Sequence, residues 1–240
     1  MWAALRDKTV VLAGGSGGLG SATAELLAAE GARLVVSYRS DAARAARLGR
    51  IAQLVQADLS SADDRKRLLD AAPGLYGLVV FAGNPSRVAS PGQLAEAMRL
   101  SHEANYLGPV LLAREAAELM KAKGTPGAIV LFSTMQAVDL FTGSTAYAGS
   151  KAALLHAARI LAKECRGPAN IRVNVIAPGV TQAGMAEASI AAGKYDRYID
   201  DGVIPRFGRA TDVARAVRFF LEPDNYITGQ VLTVDGGLTL

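Results

Sequence analysis

The chain has 240 residues but only one cysteine, Cys165, and two histidines, His102 and His156. A single thiol cannot close an intrachain disulfide. So few soft ligands also exclude a cysteine-based zinc cluster and a His-rich metal site. Long apolar runs are missing as well. None approaches the roughly 18 residues of a membrane span. Arg6, Asp7 and Lys8 interrupt the N-terminus before a signal-peptide core could form. Lys and Arg outnumber Asp and Glu by 26 to 22, for a net charge of +4, yet they form no basic run. That balance argues against nucleic acid and suits a small phosphate-bearing ligand. Half the residues are hydrophobic and a fifth are charged, which excludes a disordered chain. No linker, repeat or low-complexity tract divides the sequence. The expectation is one soluble, cytoplasmic domain over 1–240, with neither membrane nor nucleic acid as partner.

Seven short apolar runs stand out: Thr9–Ala13, Arg33–Ser37, Gln53–Ala57, Gly77–Phe81, Ala128–Phe132, Ile171–Ile176 and Gln230–Val234. None alternates strictly with polar residues, as expected of strands covered on both faces. Between them lie segments with helical spacing: Gly20–Glu30, Ala62–Ala72, Pro91–Asn105, Pro109–Lys123, Tyr147–Cys165 and Asp212–Leu221, the last with Thr211 as its N-cap. Strand and helix in alternation predict an α/β fold, a Rossmann-type doubly wound parallel sheet with helices on both faces. Gln182–Pro205 fits no period and reads as a substrate lid.

The first strand runs into Gly14-Gly15-Ser16-Gly17-Gly18-Leu19-Gly20, and a helix follows. Glycines there let a pyrophosphate approach the backbone, and the helix start supplies unpaired N–H groups. The second strand ends at Tyr38-Arg39, with no acid where NAD sites hold the ribose hydroxyls. Arg39 is suited to grip a 2′-phosphate through its planar fork, so NADP is expected over NAD.

Tyr147 and Lys151 lie four residues apart, on one face of the longest predicted helix. An ammonium beside a phenol lowers its pKa toward the range of efficient proton transfer. Thr134, preceded by Ser133, stands thirteen residues before the tyrosine, just past a strand end. Asn105 falls near the end of a helical segment, and Pro178-Gly179-Val180-Thr181 follows the next strand. Together with the glycine turn, these motifs resemble the short-chain dehydrogenase/reductase family over nearly the whole chain. The ending from Tyr226 to Gly237 is similar to its 3-oxoacyl-carrier-protein-reductase-like branch.

The resemblance implies roles. Gly14, Gly18 and Gly20 match the cofactor glycines, and Ser16 adds a contact to phosphate. Asp58 matches the acid at the adenine amine, and Ala82-Gly83 the loop beside the adenine ribose. Tyr147 matches the general acid. Lys151 matches the lysine that lowers the tyrosine pKa and bonds the nicotinamide ribose. Asn105 matches the helix-breaking asparagine that holds a relay water. Val180 and Thr181 match the anchors of the nicotinamide amide. The implied activity is NADP-dependent hydride transfer to a small-molecule carbonyl, or from an alcohol, with 3-oxoacyl thioesters among the substrates. A reductase of sugar, steroid or aromatic ketones is the alternative within enzymes, and a nucleotide-sensing regulator the alternative outside them. The resemblance also implies a homotetramer, with a dimer second, built by pairing of the Ala-rich Tyr147–Cys165 helix and docking of C-terminal strands.

Two positions depart from the family pattern. Thr134 replaces its serine, keeping the hydroxyl but stiffening χ1, and Ser133 could serve only if the loop shifts by one. Phe81 replaces an asparagine and is expected to pack on cofactor or sheet. His102, His156 and Cys165 read as structural. Arg87 reads as a solvated loop residue. Met185, Ile190, Tyr195, Tyr198 and Ile199 either close over substrate or pack on the domain.

Overall fold

Seven strands, β1 (Thr9–Ala13), β2 (Arg33–Tyr38), β3 (Ala52–Gln56), β4 (Leu75–Val80), β5 (Gly127–Phe132), β6 (Ile171–Pro178) and β7 (Val231–Val234), form one sheet in the order β3-β2-β1-β4-β5-β6-β7. Every neighbouring pair is parallel. The computed structural model describes residues 4–86, 88 and 90–240, with Pro91 in its backbone only. Arg87 therefore lies outside the described residues. Each expected run agrees with its strand to within two residues at either end.

Parallel neighbours require crossovers, and helices supply them. The helices are α1 (Gly18–Ala29), α2 (Ala42–Ala46), α3 (Ala62–Asp70), α4 (Leu94–His102), α5 (Gly108–Ala122), α6 (Thr145–Glu164), α7 (Glu187–Ala191), α8 (Arg197–Asp200) and α9 (Ala210–Leu221). Alternate strand residues face opposite layers. Val11 and Ala13 of β1 and Ile129 and Leu131 of β5 pack with Leu68, Leu112, Leu154 and Leu161 of α3, α5 and α6. Val10, Leu12, Val130 and Phe132 pack with Leu27 of α1 and with Val213, Val217 and Phe220 of α9. Both faces are apolar, which is why the strand runs lack polar alternation.

Four local details differ from the expectations. The segments read as Pro91–Asn105 and Pro109–Lys123 join through a π-turn, Glu103–Leu107, that carries Asn105. Such turns insert one extra residue and often mark functional positions. Helix α2 has only five residues, too few for a period to show; Asp41 caps it by accepting from the Arg44 N–H at 2.8 Å. Helix α9 starts after Arg209 rather than Thr211, and the Asp212 carboxylate accepts the Arg209 N–H at 2.8 Å. The segment 182–205 is not irregular throughout, since α7 and α8 lie within it. Its Ile190, Tyr195, Tyr198 and Ile204 pack with Met135, Val180 and Phe207 in a small third cluster, whereas Met185 and Ile199 are exposed.

Candidate active site

The carboxyl ends of β1 to β6 open into one cleft of about 1110 Å³. Ligands of open α/β sheets bind at this edge, where the strand order reverses; here the reversal falls between β1 and β4. Nearly all the residues named from the sequence line this cleft: Gly14, Ser16, Gly18, Gly20, Arg39, Asp58, Ala82, Gly83, Thr134, Tyr147, Lys151, Val180 and Thr181. Asn105 is wholly buried just behind it.

At the β1 turn, Gly14 has φ 70°, and a Cβ there would stand 2.9 Å from the Ala82 backbone. Its N–H donates to the Ser37 hydroxyl at 2.9 Å, pinning the turn to β2. Gly20 lies so close to Gly15 that a Cβ would meet its backbone at 2.4 Å. Helix α1 begins on Gly17, which has no side chain to cap the first-turn N–H groups. These groups and the helix dipole form a cradle of positive partial charge facing a site that only glycine lets a phosphate approach. The chain thus fits the pyrophosphate of a dinucleotide.

At the end of the cleft beside β2, Tyr38, Arg39, Ser40 and Arg44 line its wall. Arg39 is exposed, and its carbonyl accepts from Gln56 Nε2 at 3.0 Å, which orders the loop. Arg44 adds a second guanidinium that the sequence reading missed. It pairs with Asp41 at 3.4 Å while half exposed. Its one sequence signal is the Asp41 N-cap, which places it in the first turn of a short helix. Asp58 accepts from the Ser60 N–H and hydroxyl through a single oxygen.

Thr134 follows β5 in extended conformation and is buried at the cleft wall. Its hydroxyl lies close enough to Tyr147 to pull the phenol pKa down. The adjacent Ser133 hydroxyl donates instead to the Lys151 carbonyl at 3.0 Å, beneath the cleft floor. A hydroxyl has one proton, so Ser133 has none left to donate to a ligand oxygen, whereas Thr134 has no such acceptor among the described residues. Lys151 is buried, and its ammonium donates to the Phe132 carbonyl at 2.8 Å. Desolvation brings its pKa down to about 7. Tyr147 behaves differently from the expectation. Burial pushes its phenol up to about 12, against a smaller opposing pull from the Thr134 hydroxyl. A lysine that sheds much of its charge near neutrality cannot offset the cost of a buried phenolate. Tyr147 therefore stays protonated at neutral pH.

Asn105 is more tightly held than the spacing could show. Its Oδ1 accepts from the Asn84 N–H at 2.8 Å, and its Nδ2 donates to the Asn84 carbonyl at 2.8 Å and to Ser101 Oγ at 2.9 Å. Gly83 threads between this amide and the lysine: a Cβ there would stand 2.9 Å from Asn105 Oδ1 and 3.4 Å from Lys151 Nζ. Phe81 packs on Phe132 with ring centroids 4.5 Å apart, the sheet contact expected of it. Val180 and Thr181 are buried after β6, and the Thr181 hydroxyl donates to the Gly179 carbonyl at 3.2 Å. His102 and His156 are exposed, and Cys165 is buried. Among the described residues no His, Cys, Asp and Glu side chains gather to hold a metal, and no helix is long and apolar enough to cross a membrane.

Comparison with known proteins agrees with this geometry. A family model described as enoyl-(acyl carrier protein) reductase matches residues 13–239. The 3-oxoacyl-[acyl-carrier-protein] reductase of Rattus norvegicus is 34% identical, over 98% of this chain and 99% of its own. A solved short-chain type dehydrogenase/reductase from Mycobacterium ulcerans superposes with a TM-score of 0.89 at 28% identity, over 98% of this chain and 90% of that one. The NADPH-dependent 3-quinuclidinone reductase of Rhodotorula rubra does so with a TM-score of 0.80 at 26% identity, over 98% and 92%. The chain belongs to the short-chain dehydrogenase/reductase family of oxidoreductases, in its branch resembling the 3-oxoacyl-carrier-protein reductases.

Proposed function

We propose that this oxidoreductase uses NADP to interconvert a carbonyl and an alcohol, with 3-oxoacyl thioesters as the substrate class. The observation that carries the reading is that the Thr134 and Tyr147 side chains line the same cleft side by side, with Lys151 one helical turn along. Two hydroxyls on one side of a cleft suit a single carbonyl oxygen. When bound, the nicotinamide supplies the hydride that this chain cannot. Thr134 orients the substrate oxygen, and Tyr147 gives it the proton held on its phenol. Lys151, with a pKa of about 7, and Asn105 restore that proton through water. Arg39 and Arg44, which both line the cleft, would hold the 2′-phosphate and offset its charge. The wide cleft and the apolar lid side chains Met185, Tyr195 and Tyr198 support an acyl chain over a compact polyol.

The test is NADPH oxidation against a carbonyl panel holding a 3-oxoacyl thioester, a steroid ketone, an aromatic ketone and a keto sugar. The thioester is expected to give the highest kcat/KM. A better steroid, aromatic or sugar substrate moves the assignment to that class. Tight NADPH binding without turnover of any member supports a sensor.

Assembly belongs to the same proposal. Met98 of α4, Leu107 of the π-turn and Ile160 of α6, on elements that pack on one another, are 45%, 42% and 46% exposed and available to a second copy. Of the α6 alanines, Ala158 and Ala162 turn into the core, while Ala152 is exposed and free to let a second helix approach. A homotetramer is expected by light scattering at micromolar concentration, with a dimer second, and a monomer contradicts the proposal.

A further inference from the structure

Ser101 is fully buried on α4, outside every motif discussed above. Its hydroxyl sits in a chain with a single possible direction. It donates to the Ala146 carbonyl at 2.8 Å and is reached by Asn105 Nδ2 at 2.9 Å. One hydroxyl has one proton, so a serine that donates to a carbonyl must accept from its other neighbour. The acceptor face it offers receives the amide nitrogen of Asn105 and reinforces the orientation set by the Asn84 N–H and carbonyl. The flipped amide would set its oxygen against the Ser101 lone pairs and the Asn84 carbonyl, and its NH₂ against an N–H.

The other end of the chain is equally placed. Ala146 immediately precedes Tyr147, in the first turn of α6. Its carbonyl also accepts from the Ser150 hydroxyl at 3.0 Å, but Ser150 is on the same helix. Of these two hydroxyls, only that of Ser101 ties the turn to a different element. Three parts of the site therefore meet through two linked side chains, Ser101 and Asn105: the loop at Asn84, the π-turn at Asn105, and the turn that carries Tyr147. Sequence spacing places Ser101 four residues before Asn105, on the same helical face, but cannot supply the contact with Ala146 forty-five residues away.

We propose that Ser101 is a positioning residue for proton delivery: it sets the Asn105 amide and anchors the Tyr147 turn without touching substrate or cofactor. The inference rests on the roles given above to Asn105, Tyr147 and Lys151. Ser101→Ala is expected to lower kcat about tenfold with KM for NADPH within about twofold, since the loss falls on the chemical step and not on cofactor binding. The apparent pKa in the pH profile of kcat is expected to move by about half a unit or more, because resupply of the proton is altered. Ser150→Ala removes the other hydroxyl from the same carbonyl and serves as the matched control. It is expected to leave that profile in place. Should Ser101→Ala fail to fold, Ser101→Cys keeps the volume with a weaker donor, and an intermediate kcat with a moved profile is expected. A Ser101 variant with wild-type kcat and profile, or equal changes in the Ser101 and Ser150 variants, overturns the proposal. Loss of the underlying reading has a separate signature: Tyr147→Phe would then remain active whatever Ser101 does.

Discussion

Tyr147→Phe is expected to lower kcat by about 10²–10⁴-fold, the usual contribution of a positioned general acid. The substitution deletes one hydroxyl and little volume. The ring stays on α6, and the Thr134 hydroxyl keeps the Gln136 N–H as a partner at 3.3 Å. Binding of NADPH, followed by fluorescence or calorimetry, should survive, because the glycine turn and the β2 loop are untouched. The phenol is raised to about 12, so in the native protein it holds its proton across the neutral range. Its loss therefore removes a donor and not a base. Retention of more than about a tenth of wild-type kcat would mean that the proton comes from another group or from water.

Cofactor choice should respond nearly as strongly. The 2′-phosphate of NADP carries nearly two negative charges and needs a cationic partner. A charge-assisted contact with Arg39 is worth about 1.5–3 kcal/mol, or roughly ten- to hundredfold in kcat/KM. The wild type is expected to favour NADPH over NADH by about tenfold or more on this magnitude. Tyr38→Asp combined with Arg39→Ala should reverse that order, since the new carboxylate can accept both ribose hydroxyls and repels the phosphate. Arg44 remains in the double variant, but Asp41 already holds it at 3.4 Å, which weakens its field at the phosphate. The measurement is kcat/KM for both cofactors at fixed ionic strength, because exposed charges are screened. A wild type that prefers NADH, or a double variant with unmoved preference, makes Arg39 a solvated loop residue.

What could be read along the chain was whatever the chain encodes within a few residues. Val10 to Leu12 and Ile129 to Leu131 are apolar on both faces, so they announced strands buried on both sides and a parallel sheet. Gly14 to Gly20 announced a phosphate turn, because glycine is required there by local φ and by close approach within the same turn. Tyr147 and Lys151 announced one helical face. The family pattern added Thr134, Asn105, Asp58 and the 180–181 pair, and all of these but Asn105 reach the cleft. The rest was settled by contacts between residues far apart in sequence. The thirteen-residue spacing favoured Thr134 over Ser133, but the physical reason, the Lys151 carbonyl 3.0 Å from Ser133 Oγ, is visible only in the fold. The expected fall in the Tyr147 pKa became a rise, because burial, which no spacing reports, outweighs the pull of Thr134, and Lys151 is itself desolvated. Arg44 entered through a helix too short to show a period, and Ser101 through a hydrogen bond to another helix. Periodicity and turn chemistry are local and survive in one dimension. Desolvation and the pairing of buried polar groups depend on which distant segments pack together, and only the folded chain decides that.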